Sequence, residues 1–265
     1  MLSSLLLSAL PLFAQQALPP SSQQVSQELG KGWTLRWDKK RASAQFLFGS
    51  NHPALFTPLL DEDWEELARQ ELDRLFPYFR IPDVTLDLET NKHLSLGNAG
   101  TTDKHVVAFS QSINNLAVKE SSVSVLFRPN GDLLAVDSSA LPTVLQISLE
   151  PSIDKWTAVS IANTFFRETT SLQAEYIAEP TLCIIPREEG GVIVPRLTWE
   201  IEIRNETQKS PFALAIFIDA SKYNEGVLKS DSLIHNHTGG NDLSGHVDAW
   251  ATPGISPDKN NNPEE

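Results

Sequence analysis

The sequence is poor in cysteine, since Cys183 is the only one among 265 residues. A single cysteine excludes a disulfide framework, an iron–sulfur cluster and any metal site built from several thiolates. Cys183 lies in an apolar run, residues 181–185, that is typical of a strand. We therefore expect a buried thiol without redox chemistry.

Positive charge is also scarce. The chain has 21 lysine and arginine residues against 34 aspartate and glutamate residues, which gives a formal net charge of −13 at pH 7. Electrostatic binding to nucleic acid or to an anionic membrane needs the opposite balance, so we expect no nucleic-acid partner and no membrane association beyond export. The local exception is the basic run Lys31–Arg41, for which a solvated strand edge is favoured over a site for an acidic partner.

Long hydrophobic runs are absent as well. The apolar block at residues 2–14 is too short to cross a bilayer as a helix. It is typical of a secretory signal, which predicts a signal peptide at residues 1–17 and a protein that is secreted or belongs to the cell envelope. A frayed N-terminal helix is the alternative. The polar residues 18–31 are predicted to form a disordered leader.

The sequence contains none of the common catalytic motifs. It has no His-Glu-x-x-His, no P-loop, no Gly-x-Gly-x-x-Gly and no Gly-x-Ser-x-Gly. His235 and His237 are clustered, but a pair without a third ligand favours solvent exposure over a metal site. Asp103 and His105 would share one face of a strand, which is weak evidence for acid–base chemistry. We expect no catalysis by this chain, no metal and no cofactor.

Apolar residues at three- and four-residue steps predict two helices. The first begins near Asp61 and ends near Phe79, with a capping box at Asp63 and the residue three positions later. The second covers Ser152–Arg167, with Ser152 as its N-cap and Trp156 in its buried stripe.

Alternating apolar residues predict a hairpin at residues 32–48 and a series of strands. The Asn130–Gly131 pair predicts a tight hairpin turn between two of them. Helices and strands do not alternate regularly, so we expect an α+β fold in which an antiparallel sheet is packed by two main helices. The predicted strands are 84–89, 105–111, 122–127, 132–137, 176–185, 197–204, 212–219 and 226–228.

The composition changes after residue 235. Residues 236–243 are predicted to be a linker, because they are polar and rich in glycine and asparagine. Residues 244–265 are interpreted as the truncated start of a following domain, with a disordered tail as the alternative.

The order of several strands and turns resembles a known family. A strand ends in Gln111 and leads through a turn to Val118; a second strand, a hairpin centred on Gly131 and then Pro142 follow. This order is similar to the fungalysin/thermolysin propeptide (FTP) motif. Each piece alone is a weak signal, and the order carries the resemblance.

The downstream residues are similar to the PepSY-type half of the same propeptides. They contain a helix with Ala158 and Ala162, and then strands around Trp199 and Asp219. The resemblance covers about residues 60–230. It implies an FTP-like part at 32–142, which includes the N-terminal hairpin and helix, a PepSY-like part at 143–235, and a cystatin-like architecture.

The resemblance also assigns motif positions, which are structural or interface residues without a catalytic role. Asn115 stands where the family usually has glycine, and asparagine tolerates the left-handed region better than most residues. The motif positions are Gln111, Asn115, Val118, Gly131, Pro142, Trp199, Asp219 and Gly226.

What the resemblance implies is a non-catalytic pro-domain of a secreted zinc metallopeptidase. Such a domain acts as an intramolecular chaperone and covers the cleft of its cognate metallopeptidase domain, here in cis. The predicted processing linker includes Gly239, Gly240 and Asn241, because exposed backbone is where peptidases cut. Two alternatives remain: a free-standing envelope or secreted PepSY-type protein that binds a peptidase or peptide in trans, and a small-molecule enzyme or binding domain that uses Asp103 and His105.

Overall fold

One mixed β-sheet organises the chain. The computed structural model describes residues 18–142, 147–206, 212–221 and 226–233. Three predicted segments lie outside the described residues: the signal peptide (1–17), the linker (236–243, with Gly239, Gly240 and Asn241) and the tail (244–265).

Within the described ranges the sheet has eleven strands, accompanied by four α-helices. The strands are β1 (Thr34–Asp38), β2 (Ser43–His52), β3 (Leu86–Leu94), β4 (Lys104–Ile113), β5 (Leu116–Phe127), β6 (Leu133–Ser138), β7 (Tyr176–Ile177), β8 (Thr181–Glu189), β9 (Val192–Asn205), β10 (Phe212–Asp219) and β11 (Val227–Ser232). The helices are α1 (Ser22–Leu29), α2 (Asp61–Arg74), α3 (Phe76–Phe79) and α4 (Lys155–Thr170).

The strands form two antiparallel groups that meet at one parallel pair. The first group has the order β3-β4-β5-β6-β2-β1, and the second has the order β8-β9-β10-β11, with β7 also paired to β9. The groups join where β5 and β8 run parallel, with Val118 opposite Ile184. They fall within the predicted parts 32–142 and 143–235, but they share one sheet.

The predicted fold class is therefore wrong. We expected an α+β fold with an antiparallel sheet packed by two main helices, as the cystatin-like architecture also has. The structure is instead mostly a large mixed sheet with few helices. Periodicity identifies strands one at a time, whereas the pairing of Val118 with Ile184 joins strands from distant parts of the chain.

Most strands and turns lie where the sequence predicts them. The hairpin at 32–48 is confirmed by the antiparallel pairing of β1 with β2. The turn at Asn130–Gly131 is also confirmed, because it joins β5 to β6 and Gly131 has a φ of 90°. The turn needs a positive φ at the glycine, which has no Cβ to clash.

Helix α1 corrects the prediction that residues 18–31 are disordered. Ser21 caps this helix, accepting a hydrogen bond from the backbone N–H of Gln24, and Val25 and Leu29 are buried. Its two apolar residues give a weak pattern, so the sequence resembles a polar leader. Tertiary burial provides the stability that such a short helix lacks by itself.

The helix caps and one buried stripe also differ from prediction. Asp63 lies in the first turn of α2 and accepts hydrogen bonds from the backbone N–H groups of Leu59 and Leu60, so it is not the N-cap. Helix α4 begins at Lys155 with Asp154 as its N-cap. Trp156 is 64% exposed, because Ala158, Ala162 and Phe166 form the face of α4 that packs on the sheet.

All four helices pack on the same face of the sheet. In the first group, α1, α2 and α3 cover alternate strand residues such as Val107, Phe109 and Val125. In the second group, α4 covers a set that includes Ile201 and Ile216. Side chains alternate between the two faces along each strand, and residues that pair across neighbouring strands share a face. The pairings through the junction therefore place the strand residues covered by α1–α3 and those covered by α4 on the same side. The opposite side has no helix in the described part of the chain.

Candidate functional site

Gln111 is the centre of the junction between the two groups of strands. Its side chain is 2% exposed. Its Oε1 accepts hydrogen bonds from the backbone N of Leu141 at 2.8 Å and from the Oγ of Ser121 at 2.7 Å, and its Nε2 donates to the carbonyl of Leu141 at 2.9 Å. One amide thus fixes the segment that leaves β6 and an irregular part of β5.

An apolar cluster completes the junction. Val118, Leu141 and Ile184 are buried together with Leu197 of β9. Pro142 follows Leu141 and is buried as well. The structure therefore brings together three predicted motif positions, Gln111, Val118 and Pro142, as packing residues that join the two groups of strands.

A bulge in β5 links the groups on the helix-free side. The β4–β5 register shifts so that Ser110 lies opposite Ser122 and Gln111 opposite Val118, which leaves Lys119–Ser121 as extra residues. Glu120 at its centre has a φ of 56°, in the left-handed region that residues with side chains seldom occupy.

The bulge makes two ion pairs to the second group. The Nζ of Lys119 lies 2.6 Å from the Oε2 of Glu200 on β9. Glu120 pairs with Lys229 on β11, which also pairs with Asp231 at 2.8 Å. Surface pairs contribute little to stability individually, but these fix the orientation of β5 relative to β9 and β11.

Three other motif positions lie in the second group of strands. Trp199 donates from its Nε1 to the carbonyl of Ile153 at 3.0 Å, just before α4. Asp219 is fully buried, and its Oδ1 accepts a hydrogen bond from the backbone N of Ser221. Its backbone N donates to the carbonyl of Gly226, which has a φ of 80°. These residues stabilise loops around α4 and β10.

The remaining two motif positions are turn residues. Asn115 has a φ of 64° in the tight turn between β4 and β5, as its left-handed tolerance predicts. Gly131 lies at the other end of β5, so the structure does not bring it to the junction. A Cβ at Gly131 would lie 2.8 Å from the Cδ of Pro58, so a close approach requires glycine there.

The helix-free side of the sheet carries a row of apolar residues across several strands. Phe48, Ala135, Leu126 and Val106 lie opposite one another on β2, β6, β5 and β4. Phe48 is 43% exposed and stacks on Phe46 with ring centroids 6.2 Å apart. This row, the apolar row, is a preformed surface of the kind that the centres of protein interfaces use.

A polar groove lies on the same side beside the bulge. Its volume is about 780 Å³, and it opens to solvent. Serine residues of β4 and β5 form much of its floor, and the motif positions Gln111, Asn115 and Val118 also line it. The acidic rim residues are Asp87, Glu89 and Glu120.

Asp103 and His105 do not form the acid–base pair that their spacing permits. Asp103 instead accepts from the Nε2 of His93 at 3.3 Å and from the backbone N of Leu96 at 2.9 Å. His105 is 3% exposed and donates from its Nε2 to the Oδ1 of Asn91 at 2.5 Å. Neither residue lines the polar groove.

Two residues of the basic run at 31–41 make internal ion pairs. Lys40 pairs with Glu188 at 2.5 Å, and Arg41 pairs with Asp38 at 2.6 Å. The carbonyl of Lys40 accepts from the backbone N of Ile193. This turn therefore binds the tip of the β8–β9 hairpin.

Sequence reasoning missed the partners of Gln111. The Lys-Glu-Ser-Ser segment at 119–122 interrupts the apolar alternation of β5 and is the signal that would have indicated the bulge. No local pattern indicates Leu141 as the residue that Gln111 binds, because the two lie far apart in the sequence.

Among the described residues, no three His, Cys, Asp or Glu side chains are placed to hold a metal ion, and none of the helices there has the length and apolarity to cross a membrane. No family model matches the chain, and no curated protein matches it.

Proposed function

We propose that this chain is a non-catalytic pro-domain that folds with a secreted zinc metallopeptidase domain and covers its cleft. The observation that carries the proposal is the one-sided sheet. All helices of the described part lie on one face, and on the other face the first group of strands presents the exposed Phe48 beside the half-buried Leu126 and Val106. Such a face can bind a globular domain without rearrangement.

The motif positions support the proposal through their place in the fold. Gln111, Val118 and Pro142 come from separate stretches of the sequence, yet they meet where the two groups of strands join. They hold the two groups of strands together in one sheet. A rigid surface loses less conformational entropy when a partner binds, which favours its use as a docking surface.

The apolar row provides the centre of the proposed contact. Phe48 is exposed and Leu126 and Val106 are half-buried, so a partner can remove further apolar surface from water. The polar groove beside the row supplies hydrogen-bonding groups at its edge. An apolar centre with a polar rim is typical of protein interfaces.

Covalent linkage would allow a pro-domain with a modest intrinsic affinity to stay bound to its partner. A covalently attached domain experiences a high effective concentration, and cleavage of the linker removes that advantage. We propose export of the precursor and processing near Gly239, Gly240 and Asn241. N-terminal sequencing of the mature partner checks this, and a start well downstream of Ser244 would contradict the processing site.

The experiment is inhibition of a purified thermolysin-like peptidase by the purified chain in trans. We expect concentration-dependent inhibition that weakens at least about tenfold in Phe48→Ser and in Leu126→Ser, since central apolar contacts dominate binding. Trp156→Ser is the matched control. Trp156 is more exposed than Phe48 but lies on the helix side, so this variant should inhibit like the unmodified chain.

Each outcome decides one part of the proposal. Circular dichroism and the unfolding midpoint first establish that the variants are folded. Absence of inhibition by the unmodified chain, both free and fused to the peptidase, contradicts the pro-domain function. Inhibition that Phe48→Ser and Leu126→Ser leave unchanged contradicts the helix-free face as the docking surface.

A further inference from the structure

His105 is a buried titratable residue for which the proposed function has no role. It lies on β4 and faces α2, where its ring stacks on Trp64 with centroids 4.0 Å apart and an interplanar angle of 2°. Only 3% of its surface is exposed. A histidine in this position links the first turn of α2 to the sheet.

A chain of hydrogen bonds defines the protonation state of the His105 ring. Asn91 on β3 donates from its Nδ2 to the carbonyl of Asp61, the first residue of α2, at 2.6 Å. Its Oδ1 is therefore the acceptor, and the Nε2 of His105 donates to it at 2.5 Å. The neutral ring thus carries its proton on Nε2, and acidification adds the second proton to Nδ1.

The charged groups around His105 come from two elements. On β3, His93 lies directly opposite, with ring centroids 6.4 Å apart, and it contacts Asp103. On α2, Asp61 is near enough to act electrostatically. Trp64 stacks on the ring and Phe127 lies opposite His105 on β5, and neither side chain carries a charge.

The balance of these contacts disfavours a charged ring. Burial lowers the pKa of His105 below its ordinary value, and a charge on His93 lowers this pKa further. The carboxylate of Asp61 acts in the opposite direction, and the Trp64 ring can also attract a cation. The net effect is a lowered pKa, because the loss of hydration outweighs the attraction.

We propose that His105 is an acid-sensitive contact that holds the first turn of α2 on β3 and β4, and that its protonation releases this turn. The neutral ring fits the space between Trp64 and Asn91. A second proton would place a positive charge on a ring that is only 3% exposed and that lies beside His93. The inference concerns regulation of the fold and goes beyond the docking function, on which it does not depend.

The sign of the pH effect follows from the lowered pKa of a base. Above the ordinary histidine pKa of about 6.5, the ring is neutral in the folded and unfolded states and the contact is complete. As the pH falls below that value, the unfolded chain binds the proton first, so stability decreases. The unfolding equilibrium constant rises by up to about tenfold per pH unit until the folded state is protonated too.

Two measurements on the full chain test the proposal. An NMR titration of the histidine rings should show His105 titrating below pH 6.5, at a lower pH than an exposed histidine. Hydrogen exchange should show that the amides of the first turns of α2 lose protection between pH 7.5 and 5.5, while those of α4 do not. In His105→Gln, whose amide keeps a donor toward Asn91, α2 protection should not depend on pH in this range.

His93→Gln is the matched control, because His93 is the exposed member of the pair, with 51% of its side chain accessible. It should retain the pH-dependent loss of protection in α2. Titration of His105 at or above pH 6.5 would overturn the proposal, and so would equal pH dependence in His105→Gln and the unmodified chain. If His105→Gln does not fold, the ring titration and exchange of the unmodified chain decide the question.

Discussion

Gln111 binds both main-chain groups of Leu141, accepting from its N–H at 2.8 Å and donating to its carbonyl at 2.9 Å. The side-chain amide of Gln111 therefore makes the two main-chain hydrogen bonds to Leu141 that a neighbouring strand would otherwise make. The same Oε1 accepts from Ser121 in the β5 bulge. One residue thus connects three segments at the position where the sheet changes from its first group of strands to its second.

Gln111→Leu should reduce the free energy of unfolding by about 2–4 kcal/mol, because buried groups on Leu141 and Ser121 lose their partners. Urea unfolding followed by circular dichroism measures the change. Gln70→Leu is the control, since Gln70 is exposed on α2 and donates a hydrogen bond to Glu66 there. It should change stability by no more than about 0.5 kcal/mol. Equal stabilities of the two variants would show that the Gln111 contacts do not support the junction.

Gly131→Ala should be more destabilising than Gly226→Ala. Both glycines have a positive φ, so either substitution introduces backbone strain of about 1 kcal/mol. At Gly131 the new Cβ would also lie 2.8 Å from Pro58 and 3.0 Å from Ala54, whereas at Gly226 it would meet nothing within 4 Å. We expect a total loss of about 2 kcal/mol or more at Gly131. Thermal unfolding of both variants in one buffer checks the difference, and equal losses would contradict the steric contact.

The Cys183 thiol should be unreactive in the folded chain. Burial raises its pKa to about 11, and its Sγ lies 3.2 Å from the hydroxyl of Thr198. At pH 8 the thiolate, which is the reactive form, is therefore scarce and also inaccessible. A thiol reagent such as dithionitrobenzoate should react fully only after guanidinium is added. Rapid reaction without denaturant would mean that β8 opens locally.

Tyr78→Phe should loosen α1, because the Tyr78 hydroxyl donates a hydrogen bond to Glu28 of that helix. Burial and the Glu28 carboxylate raise the pKa of Tyr78, so the phenol stays protonated at ordinary pH. Loss of a hydrogen bond to a charged group costs about 1.5–3 kcal/mol. We expect this loss in the free energy of unfolding and faster hydrogen exchange in α1. Tyr176→Phe is the control, since Tyr176 is 54% exposed, and it should leave both quantities unchanged.

The element positions could be predicted because their signals are local. Alternating apolar residues indicated the hairpin at 32–48, and Asn-Gly indicated the turn at Gly131, where the φ is positive. The left-handed conformation of Asn115 agrees with the tolerance of asparagine for that region. Each of these predictions depends on neighbours within a few residues.

The burial of helix residues was predicted less well than the strand positions, since burial depends on what packs against each helix. Trp156 was expected in a buried stripe, but α4 packs on the sheet through Ala158, Ala162 and Phe166 and leaves Trp156 exposed. Residues 18–31 were expected to be disordered, but α1 packs its Val25 and Leu29 into the core. Periodicity alone does not reveal the orientation of a helix or a surface that covers it.

The sequence by itself determined most of the strands and turns, because hydrophobic alternation and turn chemistry act between near neighbours. Tertiary structure alone decided that Val118 pairs with Ile184, that Gln111 binds Leu141 and that the helices share one face. These relationships join residues that are distant in the sequence. They form because burying apolar surface and pairing buried polar groups depend on the whole fold.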